Sequence, residues 1–114
     1  MAIKNFEEII SWQKSKALTV AVYRNFKNCK DYGFRDQIQR ASVSIMNNIA
    51  EGFERQSHKD FIKFLYIAKG SCGEVRSLLN LAQELDYINK EERDILSKQS
   101  IEVSKLISGL IKAL

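Results

Sequence analysis

Between Phe61 and Ala82, apolar and small residues recur at alternating steps of four and three: Phe61, Leu65, Ala68, Cys72, Val75, Leu79, Ala82. A mean repeat of about 3.5 residues marks a helix that keeps one stripe toward neighbouring helices crossing at a shallow angle. A strand would alternate every second residue and leaves no such pattern. The chain also lacks proline throughout its 114 residues. A β-rich protein of this length uses proline in turns and at sheet edges, so its absence favours long uninterrupted helices.

Helix starts divide the rest of the chain. "NFEE" places Asn5 three residues before Glu8, "SHKD" places Ser57 before Asp60, and "NKEE" places Asn89 before Glu92. Each fits a cap side chain accepting from the third amide of a helix, and the two Glu cases fit a reciprocal capping box. A further start lies at "DYGF", where Asp31 and Gly33 interrupt the periodicity. These boundaries predict helices at about 5–29, 33–55, 57–87 and 89–113. Short connections make consecutive helices antiparallel neighbours. The expected fold is all-α, an antiparallel up-down-up-down four-helix bundle forming one domain over 1–114.

Charge and cysteine usage bound the function. The net charge of +4 is concentrated in the first 30 residues, where six bases face only Glu7 and Glu8. Lys14, Lys16, Lys27 and Lys30 are therefore candidate contacts for RNA or DNA. Arg24, Lys27 and Lys30 equally suit the negative end of a helix dipole. Cys29 and Cys72 lack metal-site spacing and read as thiols of a reducing compartment, which points to the cytoplasm. The opening "MAIKNFEEII" is not a secretory signal, and no apolar run suits a membrane span.

The apolar surface exceeds what one bundle needs. On the first helix Phe6, Ile9, Ile10, Ala17, Val20 and Ala21 share one face. Trp12, Leu18, Val22, Tyr23 and Phe26 spread over much of the rest. On the third helix Ile62, Tyr66, Gly70, Gly73 and Ser77 lie opposite the core stripe. Mid-helix glycine costs about 1 kcal/mol relative to alanine, and small residues let a second helix approach. Trp12, Tyr23, Phe26 and Tyr66 are thus expected at an apolar contact between subunits, with Gly70 and Gly73 at a close approach.

The second helix carries "RASVSIMNNIAEGFER". Phe34, Ile38, Ala41, Ile45, Ile49, Gly52 and Phe53 form its apolar face. Gln37, Arg40, Ser44, Asn47, Asn48, Glu51 and Arg55 line the other side. Short amides, hydroxyls and arginines favour directional hydrogen bonds over helix propensity. Arg40, Ser44, Asn47, Asn48, Glu51 and Arg55 are accordingly expected to form a polar seam between helices or subunits. A solvated face and a ligand site stand as alternatives.

Catalytic signals are sparse. His58, the only histidine, falls in a first helical turn, and a dinuclear carboxylate bundle needs Glu-x-x-His motifs on two helices. "GSCGEV" lacks the phosphate-loop pattern. Cys72 sits on the core stripe, a poor place for a nucleophile. No catalytic, cofactor or metal residue is assigned.

"RASVSIMNNIAEG" and "IAKGSCGE", with Trp12 near the start, resemble the small bacterial four-helix-bundle proteins first recognised in intervening sequences of large-subunit ribosomal RNA genes. The turn near "FKNCKDYGF" departs by lacking a proline. The resemblance implies assembly into a ring of five and distant kinship with a basic, nucleic-acid-binding accessory protein of diversity-generating retroelements. Arg40, Asn48, Glu51, Gly52, Gly70 and Ser71 match its motif positions and carry over as structural and assembly residues. The resulting expectation is a non-enzymatic homo-oligomeric, pentameric scaffold or accessory protein whose partners are its own copies. The alternative is an RNA- or DNA-binding module using the first helix.

Overall fold

The computed structural model describes residues 3–114. It contains α1 (Ile10–Asn25), α2 (Tyr32–Glu54), α3 (His58–Glu84) and α4 (Lys90–Ala113), preceded by one 3-10 turn at Phe6–Glu8. No strand occurs among the described residues. The helices pack as a four-helix bundle with extents of 43 × 22 × 19 Å. The long dimension matches the 27 residues of α3 at about 1.5 Å per residue. No helix among the described residues is long and apolar enough to cross a membrane.

Contacts between consecutive helices run in opposite chain directions. Gly52 abuts Phe61 and Phe64 at one end of α2 and α3, while Ser44 bonds to Ser71 farther along. Arg76 reaches Ser100 and Asn80 meets Arg93 between α3 and α4. Three of the helix starts are capped as their residue types require: Asp31 accepts from Phe34 N–H, Ser57 from Asp60 N–H, and Asn89 and Glu92 exchange bonds. The 3.5-residue stripe of α3 is buried along its whole length and meets Ile38, Ile45 and Ile49 of α2 and Leu96, Val103 and Ile107 of α4 in one core.

The first helix departs from expectation in two ways. A continuous helix over 5–29 is replaced by the turn at Phe6–Glu8, an extended Ile9 (φ −74°, ψ 122°) and a new start at Ile10. Glu8 does accept from the Asn5 and Lys4 amides, but this closes only one turn. The break lets Ile9 enter the core and Phe6 meet Trp12 edge-on at 5.1 Å. The Gln13 side chain donates to the Glu7 carbonyl released there.

The second departure is rotational. The buried face of α1 consists of Ser11, Ser15, Leu18, Thr19 and Val22, with Phe26 at its end, while Ile10, Ala17 and Val20 face outward. Two of the three hydroxyls are tolerated inside because their own helix satisfies them, while Ser11 Oγ is buried without a hydrogen-bond partner among the described residues. Ser15 Oγ donates to the Trp12 carbonyl, and Thr19 Oγ1 to the Ser15 carbonyl at 2.8 Å and the Ser42 carbonyl of α2 at 3.1 Å. Their small volume brings α1 close to α2 where larger apolar side chains would hold it away.

The α3–α4 turn closes α3 through two backbone bonds, Tyr87 N–H to the Ala82 carbonyl and Asp86 N–H to the Gln83 carbonyl. This pattern needs a left-handed residue, supplied by Asp86 at φ 61°. Ile88 then turns into the core.

Candidate interaction surfaces

The polar residues of α2 separate into three groups. Ser44, Asn48 and Ser71 form the hydrogen-bonded part of the expected seam between α2 and α3. Ser44 Oγ lies 3.0 Å from Ser71 Oγ of α3, and Asn48 Nδ2 donates to both the Ser44 carbonyl and Ser44 Oγ. These groups are half-buried or buried, so pairing them removes a desolvation cost.

Glu51 and Arg55 make an i, i+4 ion pair at 3.0 Å, about half exposed on both sides. Arg55 also stacks over the Phe64 ring at 4.8 Å. Arg40 and Asn47 are exposed. Arg40 lines an open groove of about 610 Å³ with Asp36, Gln37, Ser44 and, from α3, Glu74. Its mixed charges suit hydrogen bonding and ion pairing with another polar surface.

The expected apolar contact residues divide similarly. Tyr23 and Tyr66 are exposed at 44% and 58% of their surface. Trp12 is half-buried against Phe6. Phe26 contradicts the expectation: it is fully buried inside its own chain, 5.7 Å from the Phe34 ring, and presents nothing to a partner. The rotation of α1 that exposes Val20 carries Phe26 inward. Gly70 faces open space, and an added Cβ at Gly73 would meet only the Arg76 side chain at 3.8 Å.

Gly52 holds the close approach that mid-helix glycines suggested elsewhere. A Cβ there would lie 2.6 Å from Phe64 Cβ and 3.0 Å from Phe61 Cδ1. Its signal in the sequence was its position on the apolar face of α2, four residues after Asn48.

The candidate nucleic-acid contacts Lys14, Lys16, Lys27 and Lys30 are all exposed. Lys14 lies 3.7 Å from Glu102 of α4, and Lys16 sits over the Trp12 ring at 5.5 Å. Lys30 borders a recess of about 270 Å³ shared with Asn25, Asn28, Cys29 and Tyr87. Beside it a long-range bond ties both loops at this end: Tyr87 OH donates to Asp31 Oδ2 at 2.7 Å. That bond, then the Phe34 N–H, holds the Asp31 carboxyl below its ordinary range, and the same bond raises the Tyr87 phenol.

Cys72 is buried, and burial pushes its thiol up to about 11. A thiol so held is inert at neutral pH. His58 is exposed in the first turn of α3, and no group of three or more His, Cys, Asp or Glu residues among the described residues is arranged to hold a metal ion. What these surfaces offer is pairing, stacking and close approach.

Comparison with known proteins fits this architecture. The model of a family described as 23S rRNA-intervening sequence protein matches residues 7–109. A crystal structure of a protein with unknown function from the S23 ribosomal protein family, from Bacteroides thetaiotaomicron VPI-5482, superposes with a TM-score of 0.84 at 31% identity. The match covers 90% of this chain and 99% of that one. No curated protein matches at comparable significance.

Proposed function

The chain belongs to the family of 23S rRNA-intervening sequence proteins, and on that premise we propose that it works by binding, as a non-enzymatic homo-oligomeric scaffold or accessory protein. The observation that carries this reading is the outer face of α3. Tyr66 and Ile67 are exposed there within about a turn of Gly70, at which an added Cβ meets nothing, and Leu81 is exposed about three turns farther along. Each mid-helix glycine costs about 1 kcal/mol; a second helix seated against Gly70 and Gly73 offsets that cost by close packing, and the apolar patch supplies the contact area. The polar groups of α2 beside it, Arg40, Asn47 and Glu51, give such a contact its hydrogen bonds.

A ring of five is the assembly that the family resemblance implies. A closed ring joins two different patches on each subunit. The α3 face supplies one, and the α4 face bearing Ile95 and Ile101 supplies the other. The two free thiols suit the reducing cytoplasm. Light scattering at micromolar concentration tests the assembly: the expected mass is five chains, and the mass of one chain would overturn the reading.

The bases of α1 favour a second reading, an accessory module that binds RNA or DNA without base preference through Lys14, Lys16, Lys27 and Lys30. Repetition around a ring lets several phosphates be neutralised together, so affinity should fall steeply between about 50 and 200 mM salt. A mixed RNA or DNA probe that shows no shift at the lower salt removes this reading.

A further inference from the structure

The outer face of α1 holds a concavity of about 440 Å³ lined by Trp12, Gln13, Lys16, Ala17, Val20 and Arg24. Its floor is aliphatic, because Ala17 and Val20 are exposed, and the Trp12 ring forms one wall. Lys16, Val20 and Arg24 follow at four-residue steps, which sets two cations about 12 Å apart on either side of an apolar centre. Neither Lys16 nor Arg24 makes an ion pair among the described residues. From Ile9 to Lys30 the chain contains Lys14, Lys16, Arg24, Lys27 and Lys30 and no acidic residue.

We propose that this groove docks an acidic amphipathic helix of another protein. Apolar residues of that helix would cover Ala17 and Val20, and carboxylates two turns apart would meet Lys16 and Arg24. The groove on α4 does not share this sign preference. A groove of similar size on α4, about 410 Å³, places Glu102 beside Lys98 and Lys105 and offers an anion no such advantage. A nucleic-acid backbone would satisfy the cations but leave the aliphatic floor uncovered. A membrane surface favours projecting apolar side chains, whereas this surface is concave. α1 and α3 share no helix–helix contact, so a partner helix seated on the α3 patch leaves the groove open. The inference rests on the scaffold reading only in taking the protein to act by binding, and it names the partner's chemistry.

Trp12 is the only tryptophan of the chain, so its emission reports on the groove directly. The full-length protein is titrated with three helical peptides as long as α1: one with leucine on one face flanked by glutamate, a lysine-for-glutamate twin, and a serine-for-leucine twin of unchanged charge. The leucine–glutamate peptide alone should shift Trp12 emission saturably. The double variant Lys16→Glu, Arg24→Glu should weaken that binding by about tenfold or more while leaving the light-scattering mass unchanged. No saturable shift with the leucine–glutamate peptide, or an equal shift with its serine twin, overturns the proposal. So does a tighter response to phosphatidylglycerol vesicles or to polyuridylate RNA. A monomer that binds the peptide removes the assembly reading alone, and an assembled protein that ignores the peptide removes this one alone.

Discussion

Helices α1 and α3 bury one face each and do so with opposite chemistry. α3 buries Phe61, Leu65, Ala68, Cys72, Val75, Leu79 and Ala82, whereas α1 buries Ser11, Ser15 and Thr19 beside Leu18 and Val22. The apolar stripe of α3 identifies its inner face unaided. On α1 the apolar residues are divided: Leu18, Val22 and Phe26 turn inward beside the hydroxyls, while Ile10, Ala17 and Val20 point outward among Lys14, Lys16 and Arg24. A helix turns inward the face that fits the available space, and small hydroxyls bonded to their own backbone fit a close approach better than larger aliphatics do.

Five measurements sharpen or break this contrast. The largest effect is expected at Phe26, which the rotation of α1 places in the core. Phe26→Ala should lower stability by about 3–5 kcal/mol in chemical denaturation. A variant that melts like the wild type and only loses assembly would return Phe26 to a subunit contact.

Cys72 tests the dry stripe of α3 by pH. The unfolded thiol ionises near its ordinary 9.0 and the folded one near about 11. Stability from this group is therefore complete below pH 9 and lost as pH rises toward 11, by roughly 2–3 kcal/mol. Cys72→Ala should remove that component from the alkaline slope, and an unchanged slope would show the thiol to be solvated.

Gly52 tests how tightly α2 meets α3. Gly52→Ala should cost about 1–3 kcal/mol despite alanine's better helix propensity, because Phe64 Cβ must move. A stabilised variant would mean the two helices separate without penalty.

Gly70 tests the outer face of the same helix. Within one chain Gly70→Ala meets no atom, so the dilute, dissociated protein should gain about 1 kcal/mol while the assembled mass at high concentration falls. An unchanged mass would argue that no subunit packs there.

The smallest effect is expected at Asp86. Its positive φ makes Asp86→Gly stabilising by about 0.5–1 kcal/mol. A loss instead would show that the aspartate side chain contributes to the turn.

The site was legible where residue type alone dictates pairing. Glu51 and Arg55 are four residues apart on one helix face and pair as that spacing allows, and Ser44 and Asn48, at the same spacing, bond to each other. Ser71 and Gly52 were visible as motif positions, but their partners lie across α2 and α3, so no spacing within one helix reveals them. The Tyr87–Asp31 bond joins residues 56 positions apart and has no local signature.

Proline absence, the caps at Ser57 and Asn89, the break at Asp31 and the 3.5-residue stripe determined by themselves that this chain forms long helices with an apolar core, because those features act over a few residues. Tertiary structure alone decided which face of α1 turns inward, where the first helix breaks, and that the tight glycine is Gly52. Those outcomes depend on the volume left between helices, a property of the packed assembly of side chains that no single segment carries.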